Sequence, residues 1–128
     1  MILNNKIKIF LALASFMMAL AISLGAFGAH GLKSILDEYM LKIYHTGVEY
    51  QFYNTFGLFI ATFLYALKPN SKKIYIAIWL IIIGMCIFSF SLYLLAILSM
   101  PILGAITPIG GSLLIIAWII ITYEILKN

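Results

Sequence analysis

The residues best suited to chemistry in this 128-residue sequence gather at the start of one long apolar segment. Residues 44–54 carry a histidine, a carboxylate, two amides and three tyrosines. Hydrocarbon penalises a buried polar group without a partner, so the cluster needs hydrogen-bond partners or a function. The sequence predicts eight ligand or polar-network residues: His30, His45, Glu49, Gln51, Tyr53, Asn54, Ser89 and Tyr93.

Three members of this cluster share one face of a predicted helix, because His45, Glu49 and Tyr53 follow one another at intervals of four residues. His45 and Glu49 can form a charge-assisted hydrogen bond, or they can supply two ligands to a metal with His30 as a third. Three nitrogen and oxygen ligands with an open position suit zinc or iron. However, the chain has no His-x-x-x-His or Glu-x-x-His spacing, so we expect neither a metal nor a cofactor.

Other interpretations of the same face remain open. Glu49 is an ionisable group at membrane depth, which suits a proton-handling role or a transport path. A hydrogen-bonded network that fixes helix packing is the simpler interpretation, in which Asn54 bonds across to another helix. No serine stands in a nucleophile-elbow sequence and no glycine loop fits a phosphate, so the sequence favours a non-enzymatic protein.

The composition indicates a chain that is embedded in lipid. Of its residues 65% are hydrophobic and 9% are charged, and four apolar runs have spanning length. The net charge of +4 comes from lysine against four carboxylates. These lysines are scattered over several loops, which indicates membrane flanking and argues against nucleic-acid binding. Cys86 is the only cysteine and is interpreted as a small packing residue.

We predict an all-α fold: a four-helix transmembrane bundle with a short interfacial amphipathic helix between spans 1 and 2. The spans cover about 7–29, 46–67, 74–99 and 108–126 in a single membrane domain of residues 1–128. A basic start, an apolar middle and small residues also leave open the cleavage of the first span as a signal peptide. Close helix packing is assigned to five residues: Ala21, Gly25, Ala29, Thr107 and Gly111.

Two helix starts are predicted from capping signals. The interfacial helix covers 32–44, where apolar residues share one face of a helical wheel and charged residues the other. Ser34 and Asp37 fit a capping box at its start, although a loop helix outside the membrane is the alternative. In the fourth span, Thr107 can cap the first N–H groups, and Pro108 suits the first helical position because it has no N–H to leave unsatisfied.

The lysines predict how the chain is oriented. With four spans, six lysines share one side and two share the other: Lys6, Lys8, Lys68, Lys72, Lys73 and Lys127 against Lys33 and Lys42. The positive-inside rule places the richer side in the cytoplasm. We therefore expect a multi-pass protein of the bacterial cytoplasmic membrane, with both termini cytoplasmic and the polar cluster near the outer leaflet.

Four motifs carry a resemblance to a known family: Gly-Ala-Phe-Gly-Ala-His-Gly-Leu at 25–32, Tyr-Gln-Phe-Tyr at 50–53, Phe-Ser-Leu-Tyr-Leu-Leu at 90–95 and Leu-Gly-Ala-Ile-Thr-Pro-Ile-Gly-Gly at 103–111. Together they resemble the domain-of-unknown-function 423 family, small bacterial membrane proteins of the YgdD and YwdK type. The resemblance implies a four-helix inner-membrane protein and no particular activity. Family members often carry a histidine where this chain has Asn54. A metal or proton role for that histidine does not carry over, whereas a hydrogen-bonding role does.

The favoured hypothesis is a non-enzymatic accessory or scaffold protein in the lipid bilayer, as a homo-oligomer or in a larger membrane complex. His30, His45, Glu49 and Gln51 would form an outward-facing pocket for a lipid headgroup, a peptide or a partner. One alternative is an oligomeric transporter or channel that uses Glu49. Another is a metal- or haem-binding membrane enzyme that uses His30 and His45.

Overall fold

The computed structural model describes residues 3–127, and this part of the chain consists of helices and the turns that join them. The helices in chain order are α1 (Asn5–His30), α2 (Glu38–Leu67), α3 (Lys72–Leu98) and α4 (Leu103–Leu126). The prediction of an all-α protein with four helices is confirmed. The connections after α2 and α3 are short, so these neighbours run antiparallel.

The helices pack in chain order, α1 on α2, α2 on α3 and α3 on α4, so α2 and α3 are the inner pair. One apolar core runs through all four helices and includes Phe10, Leu58, Ile78 and Leu114, and a second, smaller core cluster lies around Tyr44 and Tyr93. The outer helices α1 and α4 bury one stripe each, whereas α2 and α3 bury broader faces. The inner helices therefore contact protein on two sides, and the outer ones are open on most sides.

Three helices in the described range, α1, α3 and α4, are long and apolar enough to cross a membrane by length and composition. The remaining helix, α2, is the longest but carries more polar residues. Several of these are buried inside the bundle: Gln51, Asn54, Thr55 and Thr62. Gln51 and Thr55 find partners on neighbouring helices, and Asn54 and Thr62 bond to carbonyls of α2 itself, which explains how an inner helix tolerates them.

The segment between α1 and α2 is a turn, which differs from the predicted interfacial helix over 32–44. The amide of Leu36 donates to the Leu32 carbonyl at 2.9 Å, but the helical pattern does not continue. The cap is Asp37 rather than Ser34, because its extended backbone lets the side chain accept from the Met40 amide at 2.8 Å. Residues 38–44 are therefore the first turns of α2. The amphipathic pattern over 32–44 thus covers the end of a turn and the start of α2.

The start of α4 also differs from the prediction. The helix begins at Leu103, so Thr107 and Pro108 lie inside it instead of at its cap and first position. The amides of residues 103, 104 and 105 donate to the carbonyls of residues 100, 101 and 102, which starts the helix one turn earlier. Proline lacks only its own N–H, so it removes a single bond, to the Gly104 carbonyl, from a helix that already has a start.

Lysines gather at the end of the bundle formed by the α2–α3 turn and the end of α4. Lys68 Nζ donates to the Glu124 carbonyl at 3.0 Å, and Ser71 Oγ donates to Glu124 Oε1 at 2.9 Å. Lys127 Nζ lies 3.8 Å from Glu124 Oε2. Two further lysines at this end lie over tyrosine rings: Lys6 over Tyr75 and Lys73 over Tyr123. The contacts join both ends of the chain to the α2–α3 turn.

Candidate functional site

A buried hydrogen-bond network joins three helices near the opposite end of the bundle. Gln51 of α2 is fully buried. Its Nε2 donates to the Met17 carbonyl of α1 at 3.0 Å, and its Oε1 accepts from the Tyr93 hydroxyl of α3 at 2.5 Å. Both ends of one amide are thus occupied by protein groups. This satisfies a polar side chain that would be costly to leave unpaired in a low-dielectric interior.

Tyr44 lies beside the same network and adds a further contact between α1 and α2. Its ring is fully buried and lies 5.1 Å from the Tyr93 ring, and its hydroxyl donates to the Leu24 carbonyl at 2.5 Å. Two glycines leave room for these rings, because a Cβ at Gly28 would overlap Tyr44 and one at Gly47 would lie 2.7 Å from Tyr93 Cε1. Sequence reasoning missed this packing, and the signal that could have revealed it is a glycine that faces each buried tyrosine, Gly28 for Tyr44 and Gly47 for Tyr93.

Three other polar residues lie beside this network. Ser89 is fully buried, and within residues 3–127 its hydroxyl has no hydrogen-bond partner. Thr55 Oγ1 contacts Met85 Sδ at 3.5 Å. Asn54 Nδ2 donates to the carbonyl of Tyr50 on its own helix at 2.7 Å, and within residues 3–127 the structure records no bond from Asn54 to another helix. A short side chain reaches a carbonyl one turn back more readily than a neighbouring helix.

The face of α2 that carries His45, Glu49 and Tyr53 points away from the bundle. All three residues are exposed, and Tyr53 keeps 60% of its surface. Gln51, two residues after Glu49, is turned by about 200° from it around the helix, which places the amide inside and the carboxylate outside. Glu49 consequently lines no polar path within the single chain. We call His45, Glu49 and Tyr53 with the exposed residues that follow them the outer α2 face.

The predicted pocket does not form, because its four residues are divided between the inside and the outside of the chain. His30, His45 and Glu49 are exposed, while both ends of the Gln51 amide are hydrogen-bonded to groups of α1 and α3. Among residues 3–127 no three histidine, cysteine, aspartate or glutamate side chains are grouped as metal ligands would be. The metal and haem hypothesis therefore gains no support from the geometry.

A family model described as "Protein of unknown function (DUF423)" matches residues 24–111 of the chain. The UPF0382 membrane protein YwdK of Bacillus subtilis is 42% identical over 120 residues, which cover 94% of this chain and 98% of that protein. The chain belongs to the DUF423 family. The resemblance drawn from its four motifs is thereby confirmed.

Other relatives of this DUF423 chain carry the same kind of name. A UPF0382 membrane protein of Haemophilus influenzae is 39% identical over 127 residues, 98% of both chains. One from Staphylococcus epidermidis is 39% identical over 120 residues, 94% of this chain and 97% of the relative. No solved structure matches the chain. These names describe membrane proteins, so a lipid bilayer is the environment of this DUF423 protein, and they assign no reaction to it.

In this DUF423 chain the close contact between α1 and α2 uses a slightly different set of small residues from the predicted one. Ala21 is fully buried, and a Cβ at Gly25 would lie 3.3 Å from Val48 Cγ1. Ala29, however, is exposed, and Gly28 occupies the buried position instead. The predicted contact at Ala29 is therefore wrong by one residue.

The contact between α3 and α4 differs from the prediction in the same way. A Cβ at Gly110 would lie 2.5 Å from the Phe88 amide nitrogen and 2.7 Å from the Gly84 carbonyl oxygen. At Gly111, the predicted contact, it would meet only the Phe88 ring at 3.6 Å. Thr107 does lie between the helices, but as a hydrogen-bond partner of Ser91 at 2.6 Å between the two hydroxyl oxygens.

A groove of about 510 Å³ opens sideways between α2, α3 and α4. Its lining is mainly apolar, and Tyr50, Asn54 and Thr122 are the polar residues along it. Asn54 uses its amide nitrogen within α2, and the Thr122 hydroxyl donates to the Trp118 carbonyl of its own helix. The outer α2 face differs from this groove because it carries two exposed ionisable side chains, His45 and Glu49.

Proposed function

We propose that this DUF423 protein is a non-enzymatic scaffold of the bacterial cytoplasmic membrane that binds another membrane protein through the outer α2 face. The observation that supports this is the division of the polar cluster. Gln51 and Tyr93 are occupied by bonds between helices, whereas His45 and Glu49 are exposed on one face. An ionisable group that faces out of a membrane bundle requires a partner outside the chain.

The depth of Glu49 strengthens the requirement for a partner. Eighteen residues separate Glu49 from Leu67 at the lysine-rich end of α2. At about 1.5 Å per residue this is a distance of roughly 27 Å, within the hydrocarbon thickness of about 30 Å. The Glu49 carboxylate is therefore just inside the outer surface of the hydrocarbon layer, where acyl chains offer no hydrogen-bond donor. A donor from another protein in the bilayer would satisfy it.

The proposal includes α2 as a fourth span and both termini in the cytoplasm. The lysine contacts around Glu124, Tyr75 and Tyr123 lie at one end of the bundle, and the positive-inside rule favours the cytoplasm for that end. The turn at 31–37 then faces outward. This orientation also places His45 and Glu49 near the outer leaflet.

Cysteine labelling in intact cells tests this orientation. In a Cys86→Ser background, a membrane-impermeant maleimide is expected to label Lys33→Cys from outside and to leave Asn70→Cys unlabelled until the cells are opened. Both positions are exposed in turns, so their reactivity reports the side of the membrane and not burial. The reverse labelling pattern would invert the proposed topology.

Photo-crosslinking in native membranes tests the partner-binding role. With p-benzoylphenylalanine at Tyr53, we expect a crosslinked product of one discrete protein mass. The control is Ile109 of α4, which is 56% exposed against 60% for Tyr53 and lies at a similar distance from the lysine-rich end. Adducts with lipid alone at Tyr53, or the same products from both positions, would contradict the proposal.

A further inference from the structure

We propose that the lysine-rich end of the bundle holds the phosphate group of one anionic phospholipid in a pocket between α1, α2 and α3. The pocket has a volume of about 190 Å³ and is lined by Lys6 of α1, Tyr65 of α2, Lys72 and Tyr75 of α3, and the turn at 69–71. This inference is independent of the partner-binding role, because it concerns the opposite end of α2 and does not use the outer α2 face.

The charge of the chain is concentrated at this end. Six of the eight lysines lie here with only one of the four carboxylates, Glu124, whereas the other half of the bundle has two lysines and three carboxylates. Glu124 is already engaged, since Ser71 Oγ donates to its Oε1 and Lys127 Nζ lies 3.8 Å from its Oε2. The lysines that remain therefore attract an anion from outside the chain.

Two polar pockets at this end differ in how their charges are balanced. The larger one, of about 410 Å³, is lined by Lys68, Lys127 and Glu124, so its cations have a carboxylate beside them. The smaller one contains Lys6 and Lys72, and no acidic side chain of residues 3–127 lines it. An anion is opposed by no carboxylate there, and the ammonium group of a zwitterionic headgroup finds none to pair with. The smaller pocket therefore favours an anionic headgroup.

Tyr65 supplies the pocket with a hydroxyl. The residue keeps only 4% of its surface exposed and lines this pocket, and within residues 3–127 no hydrogen bond is recorded for its hydroxyl. That oxygen is not among the buried side-chain atoms without a partner, so it opens onto the pocket. Lys6 Nζ lies 4.9 Å from the centroid of the Tyr75 ring, which holds the cation beside the same opening. Hydroxyl and ammonium groups are the donors that a phosphate oxygen accepts from.

The surface next to the pocket suits the acyl chain of a lipid. Phe10 of α1 contacts the rings of both Tyr75 and Trp79, so Trp79 lies one turn further towards the middle of the bundle on the same side of α3. Its ring keeps 37% of its surface exposed. A chain attached to a phosphate in the pocket would lie along this ring, about 6 Å deeper in the membrane. Free phosphate would make no such contact, so the proposed occupant is a phospholipid.

Native mass spectrometry of the full chain in a mild detergent tests the occupant. The probes are dioleoyl phosphatidylglycerol, dioleoyl phosphatidylcholine and inorganic phosphate. We expect one retained phosphatidylglycerol per chain, with an affinity at least about tenfold above that for either other probe, because two lysines near an anionic headgroup contribute together. Failure to retain phosphatidylglycerol, equal retention of phosphatidylcholine, or equally tight binding of inorganic phosphate would overturn the proposal.

Paired lysine variants separate this pocket from a general attraction to the lysine-rich end. Lys6→Gln with Lys72→Gln is expected to lower the affinity for phosphatidylglycerol at least about tenfold. Lys8→Gln with Lys73→Gln removes two charges from the same two helices outside the pocket, so its affinity is expected to stay within about twofold. All four side chains are exposed, so neither pair disturbs the core. Equal losses from the two pairs would overturn the pocket.

Tyr65→Phe tests the contact inside the pocket while it keeps the buried ring. The change removes a hydroxyl without a protein partner in residues 3–127, so the fold is expected to be retained and the affinity for phosphatidylglycerol to fall about fivefold. The matched control is Tyr123→Phe, which removes a hydroxyl at the same end of the bundle outside this pocket. The same affinity for both variants would contradict the position assigned to the phosphate.

Discussion

Gly110→Ala is expected to lower the free energy of unfolding by about 3 kcal/mol, the upper part of the range for overpacked cores. The added methyl group would lie 2.5 Å from the Phe88 amide nitrogen and 2.7 Å from the Gly84 carbonyl oxygen. Both are backbone atoms of α3, so no side-chain rotation can relieve the overlap. The two helices must move apart, and the packing along their contact must loosen with them.

Gly111→Ala is the matched control, since it adds the same methyl group one residue later in the same helix. There the methyl meets only the Phe88 ring at 3.6 Å, an ordinary contact. Alanine is about 1 kcal/mol more favourable than glycine inside a helix, so this variant is expected to be neutral or slightly stabilised. Unfolding of both variants in mixed micelles, followed by tryptophan fluorescence, measures the difference. Equal effects at the two positions would contradict the close approach at Gly110.

The helices could be predicted from the sequence because a long apolar run in a membrane can form few structures other than a helix. Their starts were harder to predict, since more than one capping signal was present. Ser34 and Asp37 both suit an N-cap, and the extended backbone at Asp37 decides between them. Thr107 and Pro108 likewise fit a helix start, but the turn at 100–102 had already begun α4.

The small-residue contacts were predicted to within one residue, and helix geometry explains the error. A spacing of four residues drifts by about 40° around a helix at each step. After two steps, from Ala21 through Gly25 to Ala29, the last residue has turned out of the contact. Gly28 lies on the inward side instead. Gly111 does contact the Phe88 ring, but Gly110, one residue earlier, makes the closer approach to α3.

The direction in which each polar side chain of α2 points was the hardest feature to predict from the sequence. A helix that meets protein on one side and lipid on the other is apolar all round, so hydrophobic periodicity does not separate the two sides. The stretch with Glu49 and Gln51 therefore looked like one pocket. Only the packing of α1 and α3 reveals that the amide is inside and the carboxylate outside.

Gln51→Leu is expected to lower the free energy of unfolding by about 2 kcal/mol, because it leaves the buried Tyr93 hydroxyl without its acceptor. Tyr93→Phe keeps the ring beside Gly47 but leaves the buried Gln51 Oε1 without its donor, so its expected cost is also about 2 kcal/mol. The two changes share one bond, the 2.5 Å contact between the Tyr93 hydroxyl and Gln51 Oε1, and Gln51→Leu also removes the bond to the Met17 carbonyl. Their effects are therefore not expected to add.

The double variant, Gln51→Leu with Tyr93→Phe, is expected to be more stable than Gln51→Leu alone. Replacing both partners of a buried hydrogen bond with apolar groups of similar shape leaves no polar atom stranded, whereas replacing one partner does. Unfolding in mixed micelles of the four proteins of this double-mutant cycle gives the coupling energy directly. Strict additivity would mean that the two side chains act independently and that the network does not join α2 to α3. A favourable coupling would instead show that the Gln51 amide joins α2 to α3, on the side of α2 opposite to Glu49.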